Sequence, residues 1–382
     1  MPRRPVSTTL EAEPRIEGTR GFARQSRRAT SRGAASETSR TKTVDKRKED
    51  TGTIDELDRR IIVELQNDAR QSDVRIAGLV GTSQASVRRR IARMIDENII
   101  RIMAIPNQWK LGFTIAAAIG IKAEPIRLVQ VSEALARMDR VHIVSITTGP
   151  FDILIWVSLR SSEDLYDFLT AKLSLISGIV GSETMIVLDL RKRDHKILPD
   201  GQSSSMSSEV ELASNSIDDI DLDVPGGDAI DERDLRILEE LQKDARQTDA
   251  ALARKLGLSK AIVRRRVRHL LREGVAKVAV IPDPPRVGYP EQVYLGIQAR
   301  PGSLDEIMTS LAAMTRVHTV CLTAGRYDIV VWATFSSRQE LADFIKNDLP
   351  TISGIVRSEI LTTAREVKRE LSIAPLFSKN RL

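Results

Sequence analysis

Two arginine triplets, Arg88–Arg90 and Arg264–Arg266, stand 176 residues apart in a chain of 382. Each triplet follows a short break, Gly-Thr-Ser at 81–83 and Gly-Leu-Ser at 257–259. At about 100° per residue, Val87, Ile91, Met94 and Ile95 fall on one apolar stripe of a helix. Arg89 then points away from the stripe, with Ser86 and Arg93 beside it and Arg88 and Arg90 at its borders. In the second helix Arg265 points outward, with Ile262, Arg268 and His269 around it. A guanidinium on such a face neutralises phosphate and donates two hydrogen bonds to guanine O6 and N7. Candidate DNA-contacting residues are therefore Ser83, Gln84, Ser86, Arg88, Arg89 and Arg93 in the first helix region. In the second they are Ser259, Lys260, Ile262, Arg264, Arg265, Arg268 and His269. A single basic helix is usually a solvated face; recurrence after the same turn favours DNA. Arg90 and Arg266 border the core stripe and are candidate ion-pair partners for Asp58 and Asp234.

Other chemistry is sparse. The only cysteine is Cys321, and the histidines His142, His195, His269 and His318 lack zinc-ligand spacing. Neither metal, cofactor nor catalytic residue is expected. His142 and His318 read as hydrogen-bonded packing residues, Cys321 as a buried inert thiol, and Trp156 and Trp332 as packing beneath helices. The formal charge of +6 sits in the first 50 residues, with 13 Lys/Arg against 7 Asp/Glu. That Ser/Thr/Arg/Gly-rich tail lacks periodic apolar residues and reads as disordered. No apolar run of membrane-spanning length and no secretory h-region occurs, so the cytoplasm is the expected address and no membrane partner is expected.

The elements that position the triplets repeat as a unit. Shifting the chain by 176 residues aligns Ile54 with Ile230, and 22 of the 37 positions from 54 to 90 are identical. Each unit begins with three helices, at 55–67, 74–80 and 84–97 in the first. Gly81 and Gly257 supply the sharp turn, and Ser83 and Ser259 are N-cap types, which makes a helix-turn-helix. The pattern then changes to β-α-β-β-α-β, with strands at 115–123, 141–148, 152–159 and 180–188 and helices at 126–138 and 162–175. Strands at 292–300, 317–323, 328–335 and 356–363 follow in the second copy. This is the ferredoxin-like order, and each sheet leaves one face to be covered by the other copy. The fold class is α+β: two winged or helix-turn-helix heads, each followed by a ferredoxin-like domain. Expected boundaries are a basic tail at 1–53, heads at 54–105 and 230–281, α/β domains at 106–195 and 282–373, an acidic Ser/Gly-rich linker at 196–229 and a tail at 374–382.

The stretches IDELDRRIIVELQNDARQS, GTSQASVRRRI, KLGF, TGPFD and LSLISGIV together resemble the Lrp/AsnC family of feast/famine regulators. The resemblance covers about residues 54–190 and 230–370. It implies a head that binds DNA as a dimer and an α/β domain that dimerises sheet to sheet, often with an amino acid near its interfaces. Ordinary members hold one unit per chain, so this tandem chain resembles a dimer made covalent. The resemblance carries an effector role to Gly149 and Asp152, with Thr148 beside them, and to Gly325 and Asp328. Read from the residues alone, the same loops are β-hairpin turns in which Asp accepts local hydrogen bonds. Association of pseudo-dimers into larger assemblies is also implied.

Gln84, Ala85 and Ser86 become Lys260, Ala261 and Ile262 in the second head, which predicts an operator with unequal half-sites. Two rival functions come from other classes. Siroheme decarboxylases resemble the same two-part fold, but IRIMAIPNQWKLGFTI and AKVAVIPDPPRVGYPE contain no histidine where such an enzyme would use one. A small-molecule sensor without DNA contact is disfavoured by the arginine triplets kept in both heads.

Overall fold

A computed structural model describes residues 54–199 and 230–371. The expected basic tail, the C-terminal tail and the linker from residue 200 lie outside the described residues.

The first head is α1 (Glu56–Asn67), α2 (Asp73–Val80) and α3 (Gln84–Asp96). Asp55 and Asp58 cap α1 reciprocally, each carboxylate accepting from the other's backbone N–H at 2.8 and 3.2 Å. Gly81 ends α2 at φ 71°, a left-handed conformation that costs other residues strain. Ser83 then starts α3 by accepting from Ser86 N–H at 3.2 Å. The chain continues through β1 (Ile100–Pro106), β2 (Ile115–Ala123), α4 (Leu128–Ala136), β3 (Val141–Thr147), β4 (Ile153–Leu159), α5 (Ser162–Asp167) and β5 (Ile179–Arg193). The second copy repeats it as α6 (Glu232–Lys243), α7 (Asp249–Leu256), α8 (Lys260–Arg272), β6 (Ala276–Pro282), β7 (Glu291–Ala299), α9 (Leu304–Ala313), β8 (Val317–Ala324), β9 (Ile329–Phe335), α10 (Arg338–Asp343) and β10 (Ile355–Arg369).

The two ferredoxin-like sheets join edge to edge as one closed barrel, in the order β10-β3-β4-β2-β5-β8-β9-β7. The joints are made by β5 and β10. Both run longer than the hydrophobic pattern predicts, because their later residues pair with the other copy: Leu190 with Cys321 and Arg193 with Thr319, Glu366 with Ser145 and Arg369 with Ile143. Outside the barrel, β1 pairs with β6 in an antiparallel ribbon that the sequence pattern did not reveal. Its apolar residues alternate poorly, since Ile102 packs with the first head and Ala104 with the second. The boundary drawn at 105/106 therefore falls at the end of a strand that neither head owns alone.

Strand alternation sorts the barrel's two faces. Ile153, Ile155 and Val157 pack outward with Val131, Leu135 and Phe168 of the helices, and β9 does the same with Ile329, Val331 and Ala333. Trp156 and Trp332 lie on the opposite register and group with inward residues. They do not pack beneath the helices as expected. The helix expected over 162–175 is α5 followed by a π turn at Phe168–Lys172 and a 3-10 turn at Leu173–Leu175. Residues 196–199, assigned to the linker, dock on α1: Ile197 and Leu198 are buried, and Gln66 Nε2 donates to the Leu198 carbonyl at 3.0 Å.

Inside the barrel the Phe151 ring lies on Gly120 and the Tyr327 ring on Gly296, where an added Cβ would stand 2.4 Å from the ring in either copy. Gly296→Ala should destabilise the protein by about 1–3 kcal/mol through overpacking, seen as a lower urea midpoint at unchanged slope. His318, also buried, bonds Thr334 Oγ1 at 2.8 Å. Burial, with Lys192 and Arg369 nearby, pushes its pKa down from the ordinary 6.5 to about 3. The unfolded chain thus takes up a proton that the folded chain refuses, so this contribution is intact above about pH 6.5 and is lost as pH falls towards 3. Each pH unit in that window costs up to about 1.4 kcal/mol. Urea midpoints at pH 7, 6 and 5 should fall, and fall less steeply in His318→Gln.

Candidate nucleic-acid interface and effector loops

Both recognition helices, α3 and α8, are held by a buried core stripe and a buried carboxylate. Val87, Ile91 and Met94 are buried on α3, and Val263, Val267 and Leu270 on α8. Arg90 bridges Asp58 at 2.8 Å and Asp55 at 2.7 Å, with Asp58 only 1% exposed. Arg266 bridges Asp234 at 2.9 Å and Asp231 at 2.7 Å. These two arginines are the structural partners that the sequence suggested. Hydrogen bonds donated by the Arg90 guanidinium to Asp58 first, and then to Asp55, raise its pKa above the ordinary value. Because a buried carboxylate stripped of its partner is expensive, these pairs pin α3 to α1 and α8 to α6.

The remaining arginines face out. Ser83, Gln84, Arg88 and Arg89 are exposed, as are Ser259, Lys260, Arg264, Arg265 and Arg268. Ser86, Ile262 and His269 are half-buried at the same faces. Among the described residues, no carboxylate forms an ion pair with Arg88, Arg89, Arg264, Arg265 or Arg268, which leaves their charge for a polyanion. Arg93 differs: it pairs with Asp58, so its guanidinium also serves the α1–α3 junction. Its counterpart in the second head is His269, and there Asp234 is bridged by Arg266 alone among the described residues.

The heads are tied to each other, through contacts that sequence reasoning missed. Arg246, in the turn before α7, bridges Asp73 at the start of α2 at 2.6 Å and donates to the Gln71 carbonyl at 3.1 Å. Ala245 N–H donates to the Ile102 carbonyl of β1 at 3.0 Å, Arg286 donates to the Glu97 carbonyl at 2.7 Å and Lys110 to the Glu273 carbonyl at 2.6 Å. Arg246 lies in a turn, and nothing local in the sequence shows that a turn in one head meets a helix N-terminus in the other.

The loops to which the resemblance carries an effector role are hairpin turns at the copy–copy seam. Asp152 accepts from Ala123 N–H at 3.0 Å and Asp328 from Ala299 N–H at 2.8 Å, tying each hairpin to its neighbouring strand. Thr148 N–H donates to the Thr362 carbonyl at 2.9 Å. Gly149, at φ 104°, lies so close to β10 that a Cβ would stand 2.9 Å from the Ile360 carbonyl. Gly325 lies against Thr184 and Met185 of the first copy in the same way. Beside it Arg326 spans the seam, bridging Glu183 at 3.2 Å and Glu359 at 3.1 Å while lying 5.6 Å over the Phe151 ring. Its contacts with Tyr327, Glu359 and Glu183 hold its pKa above the ordinary value. Pro150 occupies the matching place in the first copy, so this clamp exists once. Cys321 is buried, with its thiol pushed up to about 12 by desolvation. Among the described residues no cluster of metal-ligating groups forms, and no helix is long and apolar enough to cross a membrane.

Comparison with known proteins matches this order of parts. The AsnC-type helix-turn-helix domain matches residues 54–95, and a winged helix-turn-helix DNA-binding domain matches 230–277. The Lrp/AsnC ligand binding domain matches 116–197 and again 292–373. An uncharacterised HTH-type transcriptional regulator of Pyrococcus furiosus is 39% identical over 140 residues, 36% of this chain and 95% of the relative. The HTH-type transcriptional regulator FL11 of Pyrococcus abyssi is 33% identical over 141 residues, 37% of this chain and 93% of the relative. Among solved structures, the siroheme decarboxylase NirDL covers 83% of this chain and 93% of its own length with a TM-score of 0.54; at 15% identity it shares the fold. With two heads and two ligand-binding domains each matched in sequence, the chain belongs to the Lrp/AsnC family of helix-turn-helix transcriptional regulators, and it carries two units in tandem.

Proposed function

We propose that the chain regulates transcription by binding double-stranded DNA as an intramolecular pseudo-dimer, α3 and α8 each reading one half of an operator. The observation that carries this reading is the pair of faces whose exposed arginines, Arg88 and Arg89 on one and Arg264, Arg265 and Arg268 on the other, pair with no carboxylate among the described residues, on two heads held together by Arg246–Asp73 and the β1–β6 ribbon. Arg88, Arg89, Arg264, Arg265 and Arg268 supply phosphate affinity and guanine contacts. Gln84 and Ser86 against Lys260 and Ile262 make the half-sites unequal. A small molecule of the amino-acid class modulates binding, in keeping with the two ligand-binding domains. Val180 and Val356, exposed at matching positions of β5 and β10, offer apolar surface for association between pseudo-dimers. The decarboxylase reading rests on a shared fold and assigns no catalytic step to these residues.

A footprint on DNA around the protein's own gene should show two unequal protected halves. Arg89→Ala should weaken one half and Arg265→Ala the other, each by about 1–3 kcal/mol if the arginine reads a base. Raising salt from about 50 to 200 mM should cost on the order of 10³-fold or more in affinity for about six phosphate contacts. Protection that is absent, or insensitive to both substitutions, would return the chain to the sensor or enzyme reading.

A further inference from the structure

All three tryptophans of the chain, Trp109, Trp156 and Trp332, line a single cavity of about 110 Å³ within the barrel, bordered by the end of β1. Arg193 and His195 reach the same cavity, as does Arg369 from the second copy. Arg193 is a half-buried cation whose pKa desolvation pulls down, and no carboxylate among the described residues pairs with it. Burial, and then the nearby charges of Arg193, Lys277 and Arg369, push the His195 pKa well below its ordinary value, which disfavours a further cation in the cavity.

The second copy shows what has been removed. Arg369, at the position matching Arg193, bridges Glu366 at 3.3 Å, donates to Gln292 Oε1 at 3.4 Å and lies 4.1 Å over the Trp332 ring. In the first copy Leu190 stands for Glu366 and Ala116 for Gln292, so both polar partners of the arginine are gone. Trp109 replaces Pro285, which turns the polar recess found beside Glu366 and Gln292 into an aromatic one. A cation partly withdrawn from water without a counter-charge is unfavourable, and an anion entering the cavity offsets that cost. At about 110 Å³ the space is smaller than the engineered apolar cavity of about 150 Å³ that accommodates benzene, which limits an occupant to a single small ring.

We propose that this cavity binds a small monocarboxylate with a flat apolar body, its carboxylate on Arg193 and its body among the indoles, and that the matching site of the second copy does not. The site is separate from the hairpin loops at Gly149 and Gly325. It also goes beyond the DNA-binding reading, because occupancy is measurable without DNA.

The three indoles make the protein its own reporter. The full-length chain is titrated at constant ionic strength with furan-2-carboxylate, benzoate and phenylacetate, and with the corresponding neutral amides, following tryptophan emission and, in parallel, heat by calorimetry. At least one carboxylate should bind saturably, at least tenfold more tightly than its amide. Arg193→Gln should weaken it at least tenfold. Leu190→Glu, which supplies the carboxylate that the second copy keeps, should do the same while leaving the buried charge balanced and the melting temperature no lower. The proposal fails if none of the three carboxylates gives heat or emission change up to about 10 mM, where even weak sites fill. It fails equally if acid and amide bind alike, or if both variants bind as the native chain does. Failure here leaves the footprint result untouched, and the reverse also holds.

Discussion

A ferredoxin-like sheet standing alone has two bare edges whose amides and carbonyls must find partners. In this chain each sheet's edges are completed by the other's, through β5 against β8 and β10 against β3. Everything else follows from that mutual closure. It puts the hairpin glycines against the partner copy's backbone, encloses the aromatic interior and brings β1 beside β6. Because both copies lie on one polypeptide, closure is intramolecular and is favoured by an effective concentration that separate subunits would have to reach by expression level.

The internal duplication has been kept in the backbone and relaxed in the side chains. The capping box and the Asp–Arg pairs recur in both heads, since losing either would unpin a recognition helix. Elsewhere the copies differ: Arg93, which pairs with Asp58, against His269, Pro150 against the Arg326 clamp at the seam, Leu190 against Glu366 within the barrel. An ordinary homodimer cannot separate such positions, because any substitution appears on both sides of its axis. The tandem chain can alter a single site.

Local pattern made much of this visible. The apolar stripe of α3, the Gly-then-Ser turn and the apolar runs of β2, β4, β7 and β9 each report on residues close in sequence. The angle separates Arg90 and Arg266, turned to the carboxylates, from Arg89 and Arg265, turned out, but it put Arg93 beside Arg89 where the structure pairs it with Asp58. What stayed hidden depends on the partner copy. Strand alternation says that Trp156 faces one side but not which, and only closure of the barrel makes that side the interior. The β1–β6 ribbon lacked a signal for the same reason, as its residues divide between two heads. That Arg193 has no carboxylate partner among the described residues becomes legible only when Leu190 is compared with Glu366 at the matching register.

The ribbon also ties the assembly together crosswise. β1 leaves the first head and is bonded along its flank by the second, through Ala245, while β6 lies against α1. Each head is therefore completed by a strand that grows out of its sibling. Unlike halves made as separate proteins would have to choose between self-pairing and cross-pairing, and a cell would hold a statistical mixture of three species. Here the covalent bond fixes one of each, so two divergent reading heads always reach DNA in a one-to-one ratio, with no mismatched combination for the cell to sort.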